Sequence, residues 1–398
     1  MKPIKICAVV CAVILFLSGC SWTQPARLHS SPTIDGTKYL ERFNQNGQYQ
    51  QLSEQEQFYY GIIYTSVVDS LSKETSITDA NGQQRPGLRV SFEDSHLSQE
   101  QISRLFEAFY LDNPSFFFLD RTCSLEGREI NKTQVYDTLV LQYTMNASER
   151  IEADKQLKQA KQNILKNCPH TGDDFLVELY LHDQLLSICS YDNEAALSST
   201  QFPNAYSAYG ALVEGRAVCE GYAKAMQLLL TDASIPTVLI RGYSVENQTA
   251  HMWNMVEINR QHYFLDPTWN DNDGQIHYSY FNITSSELKR THIIDSGTVL
   301  KITCTASADN YYVRNHTQIS VFDRDAIAQA IATQIQSGHT SVHLRFDEGK
   351  FENGLLFLKN ATLTKRMVNA YLKDNQTMWD YRLSVHSAQN TLSLHKNS

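Results

Sequence analysis

Three polar residues between positions 215 and 270 can do chemistry together: Cys219 in "EGRAVCEGYAKAM", His251 in "AHMWNMVEI" and Asp266 in "QHYFLDPTW". A thiol, an imidazole and a carboxylate are the parts of nucleophilic acyl transfer. The thiolate attacks, the imidazolium protonates the leaving amine, and the carboxylate fixes the imidazole tautomer. Each residue alone has a plain structural explanation, since free cysteines are mostly buried and Asp-Pro begins turns. Their arrangement is what points to chemistry.

Residues 250 to 266 alternate as a hairpin; with Asn259-Arg260 as a two-residue loop Ile258 faces Gln261, and a four-residue loop would keep the same parity. Counting outward puts Trp253 opposite Asp266 and His251 opposite Thr268. His251 and Asp266 then share a face as diagonal neighbours, about 7 to 8 Å apart at the backbone, within reach of an imidazole-carboxylate hydrogen bond. Cys219 stands where an amphipathic helix begins. Unpaired amides and the positive end of the helix dipole favour thiolate there. Gly215 and Gly221 leave little bulk beside the sulfur, which would let a substrate backbone approach.

"GALVEGRAVCEGYAKAMQLLL", "HMWNMVEINRQHYFLDPTW" and their spacing resemble the transglutaminase-like superfamily over residues 172–285. The resemblance implies a papain-like core, a cysteine helix packed on an antiparallel sheet, with Cys219 as nucleophile, His251 as base and acid, and Asp266 as the orienting carboxylate. Trp253 and Trp269 are expected as walls of the substrate site or as core, and Gly221 as part of the open approach beside the sulfur. Some members of the family use an upstream indole or amide to complete the oxyanion site. The one upstream tryptophan here is Trp22, so Tyr209, or else Tyr206, is the expected donor.

The remaining chain bounds where this chemistry would act. "MKPIK" followed by the twelve apolar residues of "ICAVVCAVILFL" suits the leader of an exported protein and is too short to span a bilayer. "LSGC" then resembles the lipobox of bacterial lipoproteins, which implies lipidation at Cys20, an extracytoplasmic membrane anchor, and a tether over 20–50. The alternative is an ordinary secretory signal with an incidental cysteine. Five cysteines remain beyond Cys20, an odd number, so at least one is free or pairs between chains. A net charge of −9 and the absence of a basic face exclude nucleic-acid binding. No P-loop, G-x-G-x-x-G or HExxH spacing occurs, so no cofactor and no metal are expected.

The fold class expected is α+β: a signal peptide over 1–19, a tether over 20–50, an accessory α/β region over 51–165, the catalytic domain over 166–290, and a second accessory region over 300–398. "LRVSF", helix, "AFYLDNPSFFFLD", strand has the order of "VHLRF", helix, "AYLKDNQTMWDYRL", strand, an internal echo that includes Asp112-Asn113 and Asp374-Asn375. The function expected is a thiol enzyme acting on peptide or protein amides, either a peptidase or amidase or a transamidase, with a cell-wall or surface protein as the substrate partner. The alternative is a non-catalytic surface-binding lipoprotein that keeps the core as a scaffold.

Overall fold

The computed structural model describes residues 4–9 and 47–397, apart from 80, 93–94, 131–132, 273, 296–302 and 374–375. Cys20, the tether as far as 46 and the Asp374-Asn375 pair lie outside the described residues. The N-terminal unit is built from α1 (Glu54–Ser70), β1 (Gln84–Ser91), α2 (Gln99–Asp112), β2 (Leu119–Ile130) and β3 (Thr133–Tyr143). Its strands pair antiparallel in the order β2-β3-β1, and Ile4–Val9, within the expected leader, lies as a further strand beside β2. Ser98 and Gln101 close a capping box at the start of α2. The helical stripe of Ile102, Leu105, Phe106 and Phe109 is buried. The sequence did not suggest α1, whose aromatic and β-branched run looks strand-like. A Ser53-Glu56 capping box and burial of Tyr60, Ile63 and Val67 override that propensity.

Two helices, α3 (Ala147–Leu165) and α4 (Asp174–Ile188), lead to α5 (Cys219–Asp232). From Glu220 to Leu230 every residue of α5 is buried, which makes it the central helix of the molecule. It packs on a sheet of β4 (Thr237–Ser244), β5 (Ala250–Ile258), β6 (Gln261–Leu265) and β7 (His292–Ile294), ordered β6-β5-β4-β7 and antiparallel throughout. A cysteine helix on an antiparallel sheet is thus present, and the whole is α+β. One apolar core links Phe106 and Leu139 of the N-terminal unit to Met226 and Val256 around the cysteine helix.

The C-terminal unit comprises α6 (Arg324–Gln336), β8 (Ser341–Phe346), α7 (Phe351–Lys359), α8 (Ala361–Asn369), β9 (Tyr381–His386) and β10 (Thr391–Lys396). Its strands run β8-β10-β9, the same antiparallel order that β1-β3-β2 forms in the N-terminal unit. Each unit has a helix before its first strand and helical structure before the final strand pair, so the echo in the sequence is an echo in topology. Val342, Leu344, Leu392 and Leu394 belong to a separate apolar core with Ile327, Ile331 and Phe357. The alternate positions carry Ser341, His343, Arg345, Thr391, Ser393 and His395, giving the sheet one polar face. Among the described residues no helix is long and apolar enough to cross a membrane.

Candidate active site

The hairpin forms in the expected register, with Gln261 opposite Ile258 and Leu265 opposite Asn254. Asn259 and Arg260 both have positive φ, +53° and +63°, as a two-residue turn matched to strand twist requires. The pairing ends sooner than the sequence suggested. Asp266 caps the short helix Pro267–Asn270, its side chain accepting from the Trp269 amide at 3.1 Å, so Thr268 is helical and does not face His251. The strand end turns the carboxylate toward the histidine. His251 Nε2 and Asp266 Oδ2 are 2.7 Å apart, with side chains 7% and 1% exposed.

Cys219 lies beside the same imidazole, close enough to help raise its pKa. With Nε2 committed to Asp266, Nδ1 is the nitrogen left for the thiol. A buried hydrogen bond holds the cysteine helix against the histidine strand. Asn254, fully buried and three residues after His251, donates from Nδ2 to the carbonyl of Ala223 at 2.9 Å. The first bond of the helix runs from the Tyr222 amide to the Val218 carbonyl at 3.1 Å, leaving the amides of Cys219, Glu220 and Gly221 outside its ladder.

The electrostatics separate the groups. Burial works against a charged His251, but the Asp266 carboxylate and the Cys219 contacts outweigh it and push the imidazole up to about 10. Burial also opposes charge on Asp266, yet His251 and then His292 hold it well below the ordinary carboxylate range. An imidazolium is therefore maintained between thiol and carboxylate, as protonation of a leaving amine requires.

Residues 159–267 match the transglutaminase-like superfamily. The chain is also similar to three solved structures: a TGase (14% identity, covering 50% of this chain and 56% of that one, TM-score 0.26), a candidate protease from Parabacteroides distasonis (13%, 35% and 30%, TM-score 0.22) and a candidate cysteine protease from Cytophaga hutchinsonii (16%, 37% and 57%, TM-score 0.23). It spans at most 57% of the length of these three structures. No curated protein matches the sequence.

The other expected residues divide. Trp269 is half-buried, its ring 5.3 Å from that of His251, and it lines a cleft of 460 Å³ with Glu246, Arg290, His386 and Ala388. Trp253 is fully buried behind His251, its ring stacked at 5.8 Å, and is floor rather than wall. Gly221 does not open the site. A Cβ there would stand 2.5 Å from the Ala205 carbonyl and 2.8 Å from the Ala217 Cβ, so its role is close packing beneath the cysteine. Tyr209 is not brought to the thiol: its hydroxyl donates to Gln156 at 2.6 Å and its ring stacks on Phe117. Tyr206 lies nearer, but its hydroxyl donates to the Ala195 carbonyl at 2.9 Å.

Two residues were not visible in the sequence. Tyr191, on the short strand Ser190–Tyr191 that pairs with Arg216–Ala217 just before Cys219, stands close enough that burial, and then Cys219, push its phenol up to about 12. His292, on β7, sets Nε2 3.0 Å from the same Asp266 oxygen that His251 uses. His251, Asp266 and His292 could together hold a metal, each offering an atom within 4.8 Å of the others. Ligands around a tetrahedral zinc at about 2.1 Å would stand roughly 3.4 Å apart. The observed 2.7 and 3.0 Å are instead hydrogen-bond lengths. Among the described residues, Cys168, Cys189, Cys219 and Cys304 are free thiols.

Proposed function

We propose that this protein is a thiol enzyme that forms an acyl-enzyme on Cys219 from a peptide or protein amide. The observation that carries the proposal is one imidazole set between a thiol at a helix start and a buried carboxylate. Sγ attacks the amide carbonyl, and the developing oxyanion is received by the free amide of Cys219 and the hydroxyl of Tyr191. His251 gives its proton to the leaving amine, leaving a thioester. The now neutral imidazole takes a proton from the incoming acceptor, which releases the acyl group. Water as acceptor makes a peptidase or amidase; an amine makes a transamidase. In keeping with "LSGC", the enzyme is held outside the cytoplasmic membrane through lipid on Cys20 and acts on surface or cell-wall protein.

A glutamine-containing protein offered with a labelled primary amine tests this directly. Amine incorporation that disappears in Cys219→Ala establishes transamidation, and ammonia release or chain cleavage that disappears establishes hydrolysis. If the wild-type protein gives none of these and its thiol is alkylated no faster than in His251→Ala, the domain is a scaffold and not an enzyme.

A further inference from the structure

Two imidazoles meet one carboxylate oxygen in this site, and only one of them has a place in the acyl-transfer steps above. His292 is 2% exposed, so its nitrogens must find partners within the protein. Nε2 lies 3.0 Å from Asp266 Oδ2, and Nδ1 lies 2.8 Å from Thr291 Oγ1. An ionised carboxylate can only accept, so Nε2 carries the hydrogen and Nδ1 accepts from the threonine hydroxyl. The tautomer of His292 is thereby fixed by its neighbours. The ring is fixed as well, packed 4.8 Å from Trp253, 4.3 Å from Trp269 and 5.4 Å from Tyr280.

Asp266 needs such a restraint. Its Oδ1 is held by the Trp269 amide, but a carboxylate on a strand end can still swing Oδ2 away from His251. His292 on β7, which pairs antiparallel to β4 with His292 opposite Ser244, supplies a second, independent hold. We infer that His292 is a positioning residue: its Nε2–H locks Asp266 Oδ2 onto His251 Nε2, and so keeps His251 Nδ1 aimed at Cys219. The inference rests on the thiol-enzyme proposal. The two rings are 5.3 Å apart and share one anion, so they divide the work, His251 carrying the proton and His292 remaining neutral. In support, burial first and then the charge of His251 push His292 below its ordinary value, against the pull of Asp266.

The test uses the full-length protein and needs no substrate. Iodoacetamide labelling of Cys219 is followed from pH 5 to 9 in wild type, His292→Leu and His292→Gln, with thermal unfolding recorded for each. The leucine fills the space without a donor, whereas the glutamine keeps an N–H. The expected result is labelling at pH 6 slowed about 10- to 100-fold in His292→Leu, as misplacement of a catalytic group produces. His292→Gln should recover most of that rate and the wild-type shape of the pH profile. A folded His292→Leu protein with an unchanged profile overturns the inference, as does a folded His292→Gln protein that is no better than the leucine variant. Stoichiometric Zn²⁺ binding to the wild type that His292→Gln abolishes would also overturn it, by making His292 a ligand. Slow labelling of the wild type that His251→Ala leaves unaltered would instead defeat the thiol-enzyme proposal itself.

Discussion

The two flanking units share a strand order and differ in how they meet the cysteine helix. The N-terminal unit is fused to it. Tyr110 of α2 donates to Glu220 Oε1 at 2.6 Å, Arg121 of β2 pairs with Glu220 Oε2 at 3.1 Å, and Lys224 reaches Oε1 at 2.9 Å, all at the residue that follows Cys219. The apolar core continues through the same seam. The C-terminal unit keeps its own core and offers its polar face. Arg345 pairs with Glu287 at 2.6 Å and donates to the Ser279 carbonyl at 2.9 Å, Thr391 meets Ser279 at 2.6 Å, and His277 sits among the rings of His343, His386 and His395 at 5.0 to 5.9 Å. An apolar, ion-locked seam makes a unit part of the body that holds Cys219. A hydrogen-bonded, histidine-rich seam makes one that can loosen while the body stays folded, and this unit contributes His386 and Ala388 to the cleft beside Trp269.

Breaking the first seam should have the largest effect. Burial opposes charge on Glu220, but Lys224 and Arg121 outweigh it and hold the carboxyl down at about 2. Glu220→Gln would leave two cations facing each other in the interior, at a cost of about 3–5 kcal/mol. Denaturation monitored at both α2 and the Cys219 thiol should show the two lost together at lower denaturant. Loss of α2 with the thiol environment intact would mean that the seam is not shared.

The second seam should be sensitive to acid. Burial, then the neighbouring His386 and His395, push His277 down to about 3, and burial, then Arg382, push His395 down to about 4. Burial also lowers His386, and it drives His343, which faces His277, His395 and His339, well below its ordinary value. These groups bind protons more readily once the seam opens and they return toward 6.5. Docking is therefore fully favoured above pH 6.5 and weakens as pH falls below it. Hydrogen exchange in β8 to β10, corrected for intrinsic rate, should accelerate about tenfold or more per pH unit between 6 and 4, with α5 unchanged. Equal acceleration in α5 would erase the contrast between the seams.

The uneven legibility of the molecule has the same origin. The hairpin that joins His251 to Asp266 was readable because its parity depends only on alternation and a two-residue turn. The start of α5 at Cys219 was readable because glycines and apolar spacing are local signals. His292 was not, because β7 is three residues long and reaches Asp266 through pairing with β4, a contact that no spacing rule encodes. Gly221 was misjudged for the same reason: what lies against it is the 205–207 backbone, distant from the cysteine helix in its pattern. The polar face of the C-terminal sheet is present as alternation in "SVHLRF" and "TLSLHK", but alternation alone would have assigned those histidines to solvent.

The smallest effect concerns a tyrosine that belongs to the first seam and not to the site. Tyr209 leans on Phe117 and donates to Gln156 of α3, whereas Tyr191 flanks the thiol and is 40% exposed. Tyr209→Phe removes one partly exposed hydrogen bond worth about 0.5–1.5 kcal/mol and should leave turnover of an amide substrate unaltered. Tyr191→Phe keeps the ring and should lower kcat by about 100-fold while leaving thiol alkylation intact, because an oxyanion donor acts only once charge has moved onto the carbonyl oxygen. Alkylation has no such oxyanion, so the two readouts distinguish stabilisation of the intermediate from support of the nucleophile. If Tyr209→Phe lowers kcat and Tyr191→Phe does not, the N-terminal seam extends into the oxyanion site and the division drawn between seam and site fails.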